Sequence, residues 1–440
     1  ANRPPTHAEE AVHVHLCPIA SDSLSSTPRR HALVLAIKTR RLLTPLQELR
    51  NAVVLIDGED IEAVGLQANT PIPEGCEVWD VGDRIVAPGL IDVHNHGANG
   101  HFAREGAEAV RECCRWLATA GTTSWLCNIG DLEGIKGAVE VLRQGRGPGE
   151  SSIEGIHVEG PFLYPKYLPG ESTDPPLPAE LSTYHAFLEA CEGYLVMMDC
   201  SPDLPNGLEL IRETRRTGVI SCFAHGNADY DLFMRAVDAG MTHVTHTYNV
   251  MSGMHHRRPG VVGGALTCDA VMCELTADGF HVHPAAMDVL VRCKGLDRVC
   301  LVSDTQAAAG LPDGVYNWSG RIIDGEFGWT DVTLIKKDGV VLLADQDENQ
   351  DGALSSSVWP IIRGVHNMTY QVGLPLKDSL RLASLNAARA AGIDSHVGSL
   401  EADKRADLIV IDEDVNLYAT MVAGEVVFQS EEGRSVLVDA

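Results

Sequence analysis

One unit recurs between residues 85 and 304: an amphipathic helical stretch, a glycine, then an apolar strand. The joints read Ala120-Gly121-Thr122-Thr123, Thr217-Gly218-Val219-Ile220, Ala239-Gly240-Met241-Thr242 and Lys294-Gly295-Leu296-Asp297. In the helix before the first joint, Val110, Cys113, Cys114 and Leu117 stand at i, i+3, i+4 and i+7, and Gly121 ends it. Strands are expected to start near 85, 122, 153, 194, 219, 243, 271 and 298, roughly 25–40 residues apart. Apolar strands separated by helices pair in parallel, and eight such units predict an α/β fold, a (β/α)8 TIM-like barrel. In that fold the chemistry sits at the C-terminal ends of the strands.

The flanks read differently. Residues 1–30 form an N-terminal extension. Residues 31–85 carry short strands, Leu33–Ile37 and Ala52–Ile56, the second before an Asp57-Gly58 turn signal. The barrel is expected over 86–315. Strands over 316–345 (Val332–Ile335, Gly339–Leu343) are assigned to the sandwich, and 346–394 is a helical part closing the barrel. Strands return in 395–440, at Ala406–Ile411 and Glu425–Phe428. The terminal segments together predict a small β-sandwich domain.

Lys plus Arg is 34 and Asp plus Glu is 61, a formal charge of −27. Such a surface repels nucleic acid and anionic lipid, so neither is an expected partner. No run of about 18 apolar residues is present, so no membrane span is expected. The first 30 residues lack the apolar core of a secretory signal. Twelve scattered Cys, with no C-x-x-C pair, fit buried reduced thiols and a cytoplasmic protein.

The strand ends carry the chemistry. Strand one ends in His94-Asn95-His96, and His at i and i+2 point to one face. Strand three ends in Glu159, strand five in His225, strand six in His246 and strand eight in Asp304. Singly, each has an ordinary alternative: a strand histidine, a helix cap, a surface charge. Together, four His, one Glu and one Asp at five strand ends predict a site for one or two divalent transition metal ions, Zn or Fe. Metal-assisted hydrolysis follows as the reaction class, with Asp304 as the proton-transferring acid/base and Glu159 as a bridging ligand. Met251–Gly260 is the most basic stretch of the chain and reads either as a solvated loop or as an anion site. His281 and His283 after strand seven read as substrate contacts, ligands or a helix cap. His243, of opposite parity to His246, is expected to face the helices. His157 is read as structural, and His13, His15, His101, His185, His366 and His396 as surface or packing residues.

These pieces resemble the N-acetylglucosamine-6-phosphate deacetylases of the amidohydrolase superfamily. The resemblance rests on APGLIDVHNHG (87–97), HVEGPFL (157–163), AHGNA (224–228), THTYNVMSGMHHRRPG (245–260), ADGFHVHP (277–284), LVSDT with AAAGLPDG (301–314), and ASLNAAR with SLEADKRADLIVID (383–412). It spans roughly residues 32 to 430. It implies hydrolysis of N-acetylglucosamine 6-phosphate to glucosamine 6-phosphate and acetate. It also implies metal ligands at Glu159, His225 and His246, a second metal position at His94 and His96, and Asp304 as the acid/base. Asn249, Val250 (through its backbone), Arg257 and His281 match positions that bind the sugar phosphate, and a homodimer is implied. The chain departs from the pattern at Gly170-Glu171-Ser172, Ser201-Pro202-Asp203, HHRRPG and Gly352–Ser356, so the pocket wall differs more than the hydrolytic residues do. The alternatives are an amidohydrolase acting on N-acetylgalactosamine 6-phosphate, an unphosphorylated amino sugar, an N-acyl amino acid or a cyclic amide. A non-catalytic protein of the same fold is disfavoured by the full set of metal and acid positions.

Overall fold

A computed structural model describes residues 35–164, 178–318, 332–343 and 354–436. The N-terminal extension, Gly170-Glu171-Ser172 and Gly352-Ala353 lie outside them. Barrel strands one to eight are Leu90–Asn95, Thr122–Asn128, Ser152–Val158, Leu195–Asp199, Ile220–Phe223, His243–Val244, Met272–Thr276 and Val299–Val302. They pair in sequence order. The circle closes where the Asp304 N–H donates to the His94 carbonyl and the His96 N–H to the Thr305 carbonyl, both at 2.9 Å. The glycines at the four joints, Gly121, Gly218, Gly240 and Gly295, all have positive φ, so each turns a helix end into the next strand without a Cβ clash.

Alternate strand residues face two cores. Trp125, Cys127, Val158, Met198, Phe223, Val244 and Leu301 pack under the helices. Ile91, Val93, Leu126, Met197, Cys222, Met272 and Cys300 fill the barrel, and Ala387, Ala388, Ala390 and Ala391 of helix Leu385–Ala391 plug its N-terminal end.

The apolar run near 85 is two strands rather than one. Ile85–Pro88 pairs antiparallel with Leu408–Ile411 in the outer sheet, and the barrel begins at Leu90. Pro88 has no N–H to donate. At Gly89 a Cβ would lie 2.2 Å from Thr123 Oγ1, so only glycine lets the chain cross between sheets there. The outer sheet joins Leu35–Leu43, Glu48–Asp57, Asp60–Leu66, Glu77–Asp80 and Ile85–Pro88 to Leu408–Ile411, Leu417–Val422 and Glu425–Gln429. It encloses its own core of Ile37, Leu42, Val54, Ile56, Val86, Leu408, Val410 and Met421, the β-sandwich.

Two strands read as sandwich belong elsewhere. Val332–Lys337 is the central strand of a separate three-stranded antiparallel sheet, paired with Gly314–Trp318 on one side and Val340–Leu343 on the other. Leu334, Val341 and Leu343 bury against Ala98, Ala308, Ala309 and Val358, so this sheet braces the loop that follows Asp304. Among the described residues no helix is long and apolar enough to cross a membrane.

Candidate metal centre

The six predicted residues meet at the C-terminal mouth of the barrel. Glu159, just past strand three, is the hub. Its Oε1 lies 3.1 Å from His225 Nε2 and 3.2 Å from His246 Nε2. Its Oε2 lies 3.1 Å from His96 Nε2 and 3.7 Å from His94 Nε2. Asp304 Oδ1 stands 3.5 Å from His96 Nε2 and 3.7 Å from His94 Nε2. Each carboxylate oxygen of Glu159 thus faces its own pair of imidazoles.

Strand parity alone does not aim these side chains. In strand six, His243 pairs with Cys222 and Met272, two barrel-filling residues. Thr245 Oγ1 donates to the buried Asp199 carboxylate at 2.6 Å. Residues 243 and 245 therefore point inward, and parity would send His246 out. The strand ends at Val244, and His246 adopts φ 30°, which swings it back to the centre. His225 does the same at φ 40°, and Asp304 has φ 52°. Left-handed backbone at non-glycine residues is costly and persists where packing over-determines it. His243, expected to face the helices, instead lies inside the barrel. Burial, opposed by Glu274, pushes its pKa down to about 4. His94 reaches the mouth through a register shift between Asp92 and Asn95 against strand two.

Electrostatically the cluster is an ionised nest. Burial works against charge on Glu159, but the four imidazoles hold its carboxyl well below the usual range. Asp304, also buried, is held at about 2, chiefly by His96 and then by His94. Burial opposes charge on His94, His96 and His246, yet the facing carboxylates raise all three. His94 and His96 place their Nε2 atoms 3.3 Å apart, too close for both to carry a proton toward the other. Four imidazole nitrogens and two carboxylates converging on one volume, with no Lys or Arg among them, fit a divalent cation.

The expected substrate residues are more dispersed. Asn249 and Val250 follow His246 in a tight turn where Tyr248 and Val250 have φ 85° and 51°. Asn249 Nδ2 donates to the His246 carbonyl at 3.1 Å, and the Val250 carbonyl accepts from the Gly226 N–H at 3.1 Å. His281 is half-buried, with Nδ1 at 2.7 Å from Asp278 Oδ2 and Nε2 at 2.8 Å from the Ser355 carbonyl. Despite burial, Asp278 raises its pKa to about 9, so both nitrogens donate. Arg257 stands outside the cluster. It is exposed, its guanidinium donates to His256 Nε2 at 2.9 Å, and it pairs with no carboxylate among the described residues. His283 caps helix Pro284–Lys294. His157 is buried between the Val93 carbonyl (3.0 Å) and Asp199 (3.3 Å).

Glu274 was not anticipated from the sequence. It lies fully buried on strand seven, 3.1 Å from His94 Nδ1. The available signal was an acid inside the apolar run Val271–Thr276, at the inward parity of Met272.

The amidohydrolase family model matches residues 85–427. The N-acetylglucosamine-6-phosphate deacetylase of Bacillus subtilis (strain 168) is 30% identical over 410 residues, 91% of this chain and 99% of that protein. The N-acetylgalactosamine-6-phosphate deacetylase of Escherichia coli O157:H7 is also 30% identical, over 88% of this chain and 98% of that protein. Among solved structures, a mutant N-acetyl-D-glucosamine-6-phosphate deacetylase from Mycobacterium smegmatis, in complex with N-acetyl-D-glucosamine-6-phosphate, superposes with a TM-score of 0.79. It is 27% identical and covers 90% of this chain and 100% of that one.

Proposed function

The chain belongs to the amidohydrolase family, in its N-acetylglucosamine-6-phosphate deacetylase branch, and we propose that it hydrolyses N-acetylglucosamine 6-phosphate to glucosamine 6-phosphate and acetate. The observation that carries the reading is the pairing of each Glu159 oxygen with two imidazoles, with Asp304 alongside. His225, His246 and Glu159 would hold one divalent ion, and His94, His96 and Glu159 a second. Imidazole and carboxylate donors suit Zn or Fe. When bound, such a metal lowers the pKa of water and polarises the amide carbonyl.

The protein's own groups supply the rest. Asp304, kept ionised, takes a proton from the attacking water. The water oxygen bonds to the acetyl carbon, the C–N bond breaks, and Asp304 returns the proton to the departing nitrogen. The strained turn from His246 to Val250 offers Asn249 and backbone groups to the sugar. Arg257, a cation with no acid partner among the described residues in a chain of net charge −27, is the phosphate contact, and the charged His281, whose two N–H groups are taken by Asp278 and the Ser355 carbonyl, adds its positive field. The exposed loop that holds Arg257 supports a homodimer in which it serves the neighbouring subunit's pocket. Among the described residues, the ten cysteines from Cys113 to Cys300 form no disulfide, which supports a cytoplasmic protein.

A second reading, the galactosamine epimer as substrate, is favoured by the equal identity to the E. coli relative. Acetate release from both 6-phosphates and both unphosphorylated sugars decides between them. Arg257→Ala should raise KM for the 6-phosphate about ten- to a hundred-fold, the value of a charge-assisted hydrogen bond, and leave the unphosphorylated sugar nearly unaffected. Equal hydrolysis of phosphorylated and free sugar by the unaltered enzyme would remove the phosphate from the reading.

A further inference from the structure

The four imidazoles of the centre are not supported alike. The buried Nδ1 atoms of His225 and His246 have no hydrogen-bond partner among the described residues. His94 Nδ1 does: it lies 3.1 Å from Glu274 Oε2, with both side chains fully buried. The same oxygen accepts the backbone N–H of His246 at 3.4 Å, and the Glu274 carbonyl accepts the Thr247 N–H at 2.9 Å. One residue on strand seven therefore grips strand one and the kink after strand six. Glu274 Oε1 has no hydrogen-bond partner among the described residues, so among them the carboxylate serves this duty alone.

Chemistry fixes what that contact does. An ionised carboxylate only accepts hydrogen bonds, so His94 Nδ1 carries the proton and Nε2 presents its lone pair toward Glu159, His96 and Asp304. We infer that Glu274 is the positioning residue that makes the His94/His96 side of the centre a metal position: it sets the tautomer and orientation of His94. The inference rests on the two-ion reading above. It predicts an asymmetry. The ion held by His94, His96 and Glu159 depends on Glu274 through a ligand's own ring nitrogen, and the ion held by Glu159, His225 and His246 only through the longer contact to the His246 backbone N–H.

The test is Zn²⁺ titration of the full-length protein stripped by a chelator, with calorimetry for affinities and elemental analysis for stoichiometry. The unaltered protein should take two ions, and His96→Ala should lose one. Glu274→Gln keeps the shape but loses the negative charge. Its amide oxygen can still accept the His246 N–H, so it should hold the first ion with little change and weaken the second about 10- to 100-fold, the usual loss when a hydrogen-bond partner of a ligand is removed. A general loss of folding would weaken both sites together, so the split between the two affinities is the diagnostic. Should Glu274→Gln fail to fold, Glu274→Asp, which keeps the charge but withdraws the oxygen, should give the same split. Two ions bound with unchanged affinities in the variant overturn the role of Glu274 and leave the two-ion reading standing. A single ion in the unaltered protein, indifferent to His96→Ala, overturns both.

Discussion

Strand three has a largely buried carboxylate near each end, and the two have opposite surroundings. Near its start, Glu154 Oε1 lies 2.8 Å from the Arg405 guanidinium, and Oε2 lies 3.4 Å from His396 Nε2. Arg405 also binds Asp407 at 2.7 Å and Ser124 at 2.6 Å. A permanent cation satisfies two carboxylates and a hydroxyl. That cluster joins the barrel's closed end to the loop entering the C-terminal strands of the sandwich. Just past the other end of the strand, Glu159 faces four imidazole Nε2 atoms and a second carboxylate, with no Lys or Arg paired to it among the described residues. The first cluster is complete as it stands and holds two domains together. The second is a set of lone pairs that only protons or a metal can reconcile. A buried acid in this fold is structural or chemical according to whether its counter-charge is built into the chain.

The largest effect that tests the comparison is kinetic. Asp304→Asn should lower turnover on the order of 10²–10⁴-fold while the protein keeps most of its metal and its melting temperature. Steady-state acetate release with metal analysis checks it. Near-normal turnover in the metal-loaded variant removes the proton-transfer role, and metal loss would make Asp304 chiefly a ligand.

Arg405→Ala should do the reverse. Removing one partner of a buried ion pair leaves its acids uncompensated and costs about 3–5 kcal/mol. The melting temperature should fall by several degrees, while kcat and KM at 25 °C stay near those of the unaltered enzyme. A matching loss of activity per folded molecule would show that the latch also shapes the mouth.

Much of this contrast was legible in the sequence. The glycine joints give the barrel, and His94, His96, Glu159, His225, His246 and Asp304 announce themselves because each follows an apolar run that can only be a strand. The rest failed where a local rule met a tertiary constraint. Parity placed His243 outside because it took His246 as the inward reference, and His246 is inward only through a left-handed residue that no spacing reveals. Glu274 hid inside an apolar strand, where an acid is read as an exception until its partner, 180 residues away, is known. The pairing of Glu154 with Arg405 spans a comparable gap. Val332–Leu343 were assigned to the sandwich because strand signals carry no information about which sheet will accept them.

Acid separates the two ends of strand three by pH. At the mouth, ligand imidazoles must be deprotonated to hold a cation, so metal affinity and activity should fall first, well above the range in which Glu154 titrates. The fold should survive that step. At the closed end, burial works against the charge on Glu154, but His396 and Arg405 hold its carboxyl at about 2, against an ordinary value of 4.5. A carboxyl depressed in the folded state contributes stability that is complete above its unfolded pKa and is lost as pH falls through its folded one. The window is therefore about pH 4.5 down to about 2, and the contribution is on the order of 1–3 kcal/mol. Melting temperatures of chelator-treated protein across that window should decline for the unaltered chain. In Arg405→Ala they should start lower and decline less steeply, because the permanent cation beside Glu154 is gone and only His396 remains. Parallel slopes in the two proteins would mean that Glu154 draws its ionisation from His396 alone, and that the latch is weaker than its geometry implies.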